Sequence, residues 1–186
     1  MRKMKDLQRR YRSIRKNGLR VVFILSFFHF FIFLIACSSI DCPVENVVAT
    51  VYKLQKKNGT ADTLKDTLTV ISRRINRTDT LLLDHVVNTT LFQLPMGYTN
   101  PEDTLLFIVN SNNSVYGDVV YIKKENNPHF ESVDCNIAFF HTITDIRQSS
   151  HNLIDTIIIN KRAVNYDLST EHFQIVFKPA DKRGQD

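Results

Sequence analysis

The sequence predicts an all-β fold: an antiparallel β-sandwich, immunoglobulin-like in the broad sense, with a jelly roll or small barrel as the alternative. Three observations carry this. From residue 47 onward apolar side chains recur with a period of two rather than 3.6. The alternating runs are rich in Val, Ile, Thr, Phe and Tyr, which suit a pleated, half-buried surface. Turn-forming residues punctuate them, and no helix of ordinary length emerges after residue 36.

In chain order the expected strands are Val47–Leu54, Thr67–Arg74, Thr80–Asp84, Thr90–Leu94, Thr104–Asn110, Val115–Lys123, Ser132–Asp145, Leu153–Asn160 and Glu171–Lys178. Lys57-Asn58-Gly59 turns the chain after the first. Pro95-Met96-Gly97 and Asn100-Pro101-Glu102-Asp103 flank a loop, Asn110–Ser114 makes a hairpin tip, and Glu125-Asn126-Asn127-Pro128 breaks the pattern before the seventh strand. In the last strand Phe173, Ile175 and Phe177 share one face, while His172, Gln174, Val176 and Lys178 share the other. In the seventh, Val133, Cys135, Ile137, Phe139 and Ile143 point inward, which would place Cys135 between the sheets.

Charge is unevenly distributed. The 186 residues carry 24 basic and 19 acidic side chains, a net +5. Nine of the basic groups lie in residues 1–36 with a single acid, Asp6, so the chain from Cys37 onward is net −3. The basic character belongs to the leader, which removes the electrostatic basis for nucleic-acid binding.

Residues 21–36, VVFILSFFHFFIFLIA, form an apolar run broken only by Ser26 and His29. As a helix it would span about 24 Å, short of the roughly 30 Å hydrocarbon core. A basic n-region, a short apolar h-region and small residues at the end describe a secretory signal peptide over 1–36. Leu34-Ile35-Ala36-Cys37 resembles the bacterial lipobox, which implies a covalent lipid on Cys37, a lipidated tether over 37–46 and membrane attachment through that lipid. The alternative is a single-pass type II protein with residues 1–20 left inside.

With Cys37 committed to lipid, Cys42 and Cys135 remain. Export places them in an oxidising compartment, where they are expected to form a disulfide; two cysteines alone do not complete a zinc shell.

Five histidines lie beyond the leader. His129 and Glu131 share a strand face if the strand begins that early, and with His141 they are the candidates for metal ligands or an acid/base pair. No HExxH, CxxC, EF-hand, P-loop, GxSxG or GxGxxG pattern accompanies them. The expectation is therefore a non-enzymatic module without catalytic residues or cofactor. A metal-dependent or hydrolytic enzyme on His129, Glu131 and His141 stands as the alternative. Asp-Thr followed by an aliphatic residue recurs at Asp62-Thr63-Leu64, Asp66-Thr67-Leu68, Asp79-Thr80-Leu81, Asp103-Thr104-Leu105 and Asp155-Thr156-Ile157. Turn-to-strand transitions explain most of these. The triplet also resembles the O-glycan acceptor pattern of exported Bacteroidetes proteins, which nominates Thr63, Thr67, Thr80 and Thr104.

Cys37-Ser-Ser-Ile-Asp-Cys42-Pro43, Leu94-Pro95-Met96-Gly97-Tyr98, Pro128-His129-Phe130-Glu131-Ser132-Val133-Asp134-Cys135 and Phe139-Phe140-His141-Thr142 together resemble a family of small Bacteroidetes lipoproteins of unknown function. The resemblance implies a cell-envelope location and no defined activity. Residues 38–41 lack the acidic run often carried by surface-exposed lipoproteins of that phylum, which favours an outer-membrane anchor facing the periplasm. The reading is a sandwich over 47–180, followed by a tail over 181–186, that binds a protein or glycan partner or serves an assembly. Tyr98, Tyr116 and Tyr166 are the candidate contacts.

Overall fold

The computed structural model describes residues 26–27, 42, 47–74, 78–111 and 113–185. The chain divides into two units, Met1–Asp41 and Cys42–Asp186. In the first, only Ser26 and Phe27 are described, both helical. Cys37, the expected lipidation position, and nearly all of the expected signal peptide and tether thus lie outside the described residues. Among the described residues no helix is long and apolar enough to cross a membrane.

The second unit is all-β. Its strands are β1 (Ala49–Leu54), β2 (Thr67–Arg73), β3 (Thr80–Val86), β4 (Leu91–Pro95), β5 (Glu102–Ser111), β6 (Ser114–His129), β7 (Ala138–Gln148), β8 (Ile154–Ile159), β9 (Ala163–Val164) and β10 (Phe173–Phe177), followed by a 3-10 turn at Ala180–Lys182. One sheet has the order β4-β1-β10-β8 and the other β3-β2-β5-β6-β7-β9. Every ladder is antiparallel except β1–β10, where Tyr52 lies opposite Phe173. The expected sandwich is the architecture found.

The alternation explains the core. On β5, Leu105, Phe107 and Val109 are buried; on β6, Val120 and Ile122; on β10, Phe173, Ile175 and Phe177, with Gln174 and Val176 half-buried between them. Tyr52 sits at the centre, stacked between Phe92 (ring centroids 5.0 Å) and Phe173 (4.9 Å), with Phe107 edge-on at 6.2 Å. Burial in this stack raises the Tyr52 phenol far above its ordinary range, so it is neutral at any physiological pH. Gly59, with φ of +80°, closes the turn after β1, its N–H donating to the Lys56 carbonyl.

Three local expectations are corrected. The seventh strand begins at Ala138, not Ser132, and its buried residues are Ala138, His141 and Ile143. Val133 is fully exposed, and Cys135 lies in the β6–β7 loop rather than between the sheets. Pro128 does not break the chain: β6 runs on to His129, with Pro128 opposite Phe139. A central strand excludes proline because each N–H is needed. Beyond Lys123, however, β6 has lost β5 as a neighbour and pairs only with β7. His172, on the face opposite Phe173, is completely buried as well.

Candidate functional site

The most elaborate polar cluster gathers where the β4–β5 loop, the far end of β6 and the start of β7 meet. Period-two alternation puts Asp118, Val120, Ile122 and Lys124 on one face of β6, so two charged side chains share an apolar face. Each has a dedicated partner set. Lys124 Nζ lies 2.8 Å from Asp103 Oδ1, with its side chain fully buried. The other oxygen of Asp103 accepts from the Gly97 N–H at 3.1 Å. A Cβ on residue 97 would fall 2.9 Å from Asp103 Oδ1, so glycine is what lets the carboxylate come this close. Asn126 completes the arrangement: its Nδ2 donates to the carbonyls of Tyr98 and Asn100, and its Oδ1 faces His141 Nδ1 at 2.8 Å. That pattern makes His141 Nδ1 the donor. Burial first, and the Lys124 charge second, pull the His141 pKa down to about 4, so the ring is neutral. The cluster thus fixes the loop over 97–100 and presents Tyr98, half exposed, against Phe139 at 5.0 Å. A groove of about 460 Å³ opens beside this loop, lined among others by Arg73, Arg74, Tyr98, Asn100 and Glu102.

The residues named from sequence do not all converge here. His129 and Glu131 do meet, at 3.0 Å, but on the exposed surface. The His129 ring stacks on Phe140 at 4.0 Å, and Tyr166 stands edge-on to Phe140 at 5.0 Å. Partial burial, then the nearby Glu131 charge, raises the Tyr166 pKa. His141 is buried and committed to Asn126, so the three do not form one accessible constellation. Among the described residues no group of three His, Cys, Asp or Glu side chains is placed to hold a metal. Tyr116 is half-buried against the core edge, leaving Tyr98 and Tyr166 as the exposed members of the tyrosine set. Of the four threonines, Thr63 alone is exposed, in the segment before β2; Thr67, Thr80 and Thr104 are half-buried within strands.

Cys42 and Cys135 are joined, with Cα atoms 5.5 Å apart. Close by in sequence to each, Val47 and Phe139 form a further isolated parallel bridge of their own. The chain arriving from residue 42 is therefore held twice against the start of β7.

Sequence reasoning missed two anchoring residues, Asp118 and Lys124. Their signal was present: a charged side chain in register with Val120 and Ile122 on an inward face must be either paired or misplaced. Both are engaged. Asp118 accepts from Ser150 Oγ (2.6 Å) and from the N–H groups of Asn152, Leu153 and Ile154 at 3.0, 2.9 and 2.7 Å.

Residues 67–177 match a family of unknown function, DUF6452. The chain belongs to that family. The matched span covers β2 through β10 and therefore contains Asp103, Lys124, Asn126 and His141 together. No curated protein and no solved structure matches the chain, and DUF6452 itself carries no activity to transfer.

Proposed function

We propose that this member of DUF6452 is a bacterial cell-envelope lipoprotein, anchored through a lipid on Cys37, whose sandwich is a non-enzymatic binding or accessory module. The observation that carries this reading is how the cysteines are used. The chain has three, and the Cys42–Cys135 disulfide takes two, which is the chemistry of an exported protein. The third, Cys37, has no cysteine left to pair with in its own chain and follows the apolar run and Leu34-Ile35-Ala36. A thioether to lipid uses it. The Ser38-Ser39-Ile40-Asp41 stretch supports an outer-membrane anchor facing the periplasm, and the lipobox and motif resemblance supports a Bacteroidetes source. The groove beside Tyr98, with Arg73, Arg74 and Glu102, supplies mixed charge and an aromatic face for a protein or glycan partner. Thr63 is the most accessible of the four threonines to an O-glycan.

Metabolic labelling with an alkyne fatty acid tests the anchor. The expected result is label on the full chain and none on Cys37→Ala, with the variant lost from the membrane fraction. An unlabelled chain that stays membrane-bound and keeps residues 1–36 at its N-terminus establishes the type II alternative instead. Stoichiometric metal in the purified soluble domain together with a hydrolytic turnover, both lost on changing His129 or Glu131, would establish the enzyme reading. Intact mass of the native protein reports any glycan.

A further inference from the structure

The β6–β7 loop carries a group of apolar side chains that the fold leaves outside. Val133 is 100% exposed, Phe130 64% and Ile137 45%. Folding into this sandwich leaves all three at the surface, although 23 other hydrophobic residues among the described ones are buried as its core. Three exposed apolar groups within eight residues of one loop make it a candidate contact surface. Where β7 leaves the loop, the half-exposed Tyr98 stacks on Phe139 and Tyr166 stands edge-on to Phe140. Tyrosine, apolar in body and polar at its tip, suits a membrane–water boundary.

What covers the loop follows from the covalent path. Cys135 lies inside it and is bonded to Cys42. Cys42 is five residues after Cys37, the end of the apolar run at 21–36. Five extended residues reach at most about 18 Å. Val133, two positions before Cys135, is therefore leashed close to whatever surface holds residue 37.

We propose that the loop over 130–137 is a membrane-seating surface: Phe130, Val133 and Ile137 enter the interfacial layer of the bilayer to which residues 21–37 attach, and the disulfide holds them there. This rests on the membrane attachment proposed above, in either its lipid-anchored or its single-pass form. Glu131 and Asp134 limit the depth, because a carboxylate is costly to carry into hydrocarbon; the loop lies at the headgroup boundary. The disulfide acts as a geometric clamp that turns one end of the sandwich toward the lipid and leaves the hairpin tip at Ser111–Ser114, at the other end of β6, toward the aqueous side.

The chain contains no tryptophan, so a single introduced one reports its own surroundings. The full chain carrying Val133→Trp is reconstituted in phosphatidylethanolamine/phosphatidylglycerol vesicles and compared with Val115→Trp. Val115, 70% exposed, is at the far end of the same strand, roughly 45 Å from His129 at 3.3 Å per residue. The expected result is blue-shifted emission from position 133, quenching by brominated lipid and protection from acrylamide, while position 115 behaves as in water. Cys42→Ser combined with Cys135→Ser should abolish the lipid quenching at 133 while the protein still floats with the vesicles. A Val133→Trp chain that floats but whose indole emission is untouched by brominated lipid overturns the seating and leaves the anchor standing. Failure to float at all overturns both. Protection from acrylamide in native membranes without lipid quenching assigns the loop to a protein partner and likewise overturns the proposal.

Discussion

Asp118 shows how a single residue can join two sheets. It lies on β6 of the six-stranded sheet, yet its carboxylate receives the backbone N–H groups that lead into β8 of the four-stranded one. Both oxygens are needed, since each accepts two donors. In Asp118→Asn one oxygen becomes an NH₂ facing donors, leaving buried N–H groups unmet. We expect a loss of about 3 kcal/mol, read as a lower urea midpoint with unchanged slope. His172 is the second residue whose role is set by one atom. Its backbone N–H donates to the Val51 carbonyl at 2.8 Å, and its ring Nδ1 accepts from the Val51 N–H at 3.0 Å. Protonation of Nδ1 would break the second bond. Burial, then the Lys161 charge, lowers the His172 pKa, while burial and Lys124 hold His141 at about 4. Both folded values lie below the ordinary 6.5, so the unfolded chain takes up protons first as pH falls. For His141 that stability is complete above 6.5 and drains between 6.5 and about 4, by an amount on the order of 2–3 kcal/mol, and His172 acts in the same direction. Asp167, held down mainly by Lys161, and Glu171, by its own backbone N–H, lose their stabilisation as pH falls through the ordinary carboxylate range and below, so they add to the loss only at the acid end of this window. Urea midpoints at intervals from pH 7.5 to 4.5 read the effect, and a flat series would contradict it.

At the scale of elements, strands long enough to show their alternation were legible, and where they begin was less so. All nine anticipated strands exist, because Val, Ile, Phe and Tyr at every second position have no other way to bury one face. The two-residue β9 was invisible: Ala163-Val164 is too short to display a period, and it exists because β7 offers an edge at His141 and Thr142. The β6–β7 boundary misled for a physical reason. Val133, Cys135, Ile137 and Phe139 alternate like a strand, but a disulfide and a turn hold the residues before Ala138 outside both sheets. The Cys42–Cys135 pairing itself was readable from arithmetic; its location was not. That location affects its energetics. Closing 93 residues is worth about 4–5 kcal/mol if all the benefit lies in the unfolded chain. Here the clamped loop and the chain preceding Val47 would also regain freedom in the folded protein once the bond is gone. Cys42→Ser with Cys135→Ser should therefore cost less, about 2–4 kcal/mol, and remain folded, measured as a lower but still cooperative thermal transition.

For the whole molecule, the decisive pairing joins the beginning of the domain to its end. β1 lies between β4 and β10 in the four-stranded sheet, and Val51 meets His172 across 121 residues of sequence. Such a contact forms only after a long loop closes, which places the chain among slow-folding β proteins. It also means that the span shared with DUF6452, residues 67–177, does not enclose the folding unit, since β1 precedes it. Without residues 47–66 the core loses Val48, Val51, Tyr52, Leu54 and Leu64, and with Tyr52 the stack that joins Phe92 to Phe173. β4 and β10 would face each other across an empty strand position, each with unpaired backbone groups. Deleting one large core side chain commonly costs about 2–5 kcal/mol, so losing several exceeds the roughly 5–15 kcal/mol that holds a domain together. A fragment of residues 67–186 should accordingly aggregate or show no cooperative melt by circular dichroism, whereas residues 42–186, with the disulfide formed, should melt in one transition. A cooperative, dispersed NMR spectrum from the shorter fragment would mean that the six-stranded sheet folds alone and that β1 is an accessory strand.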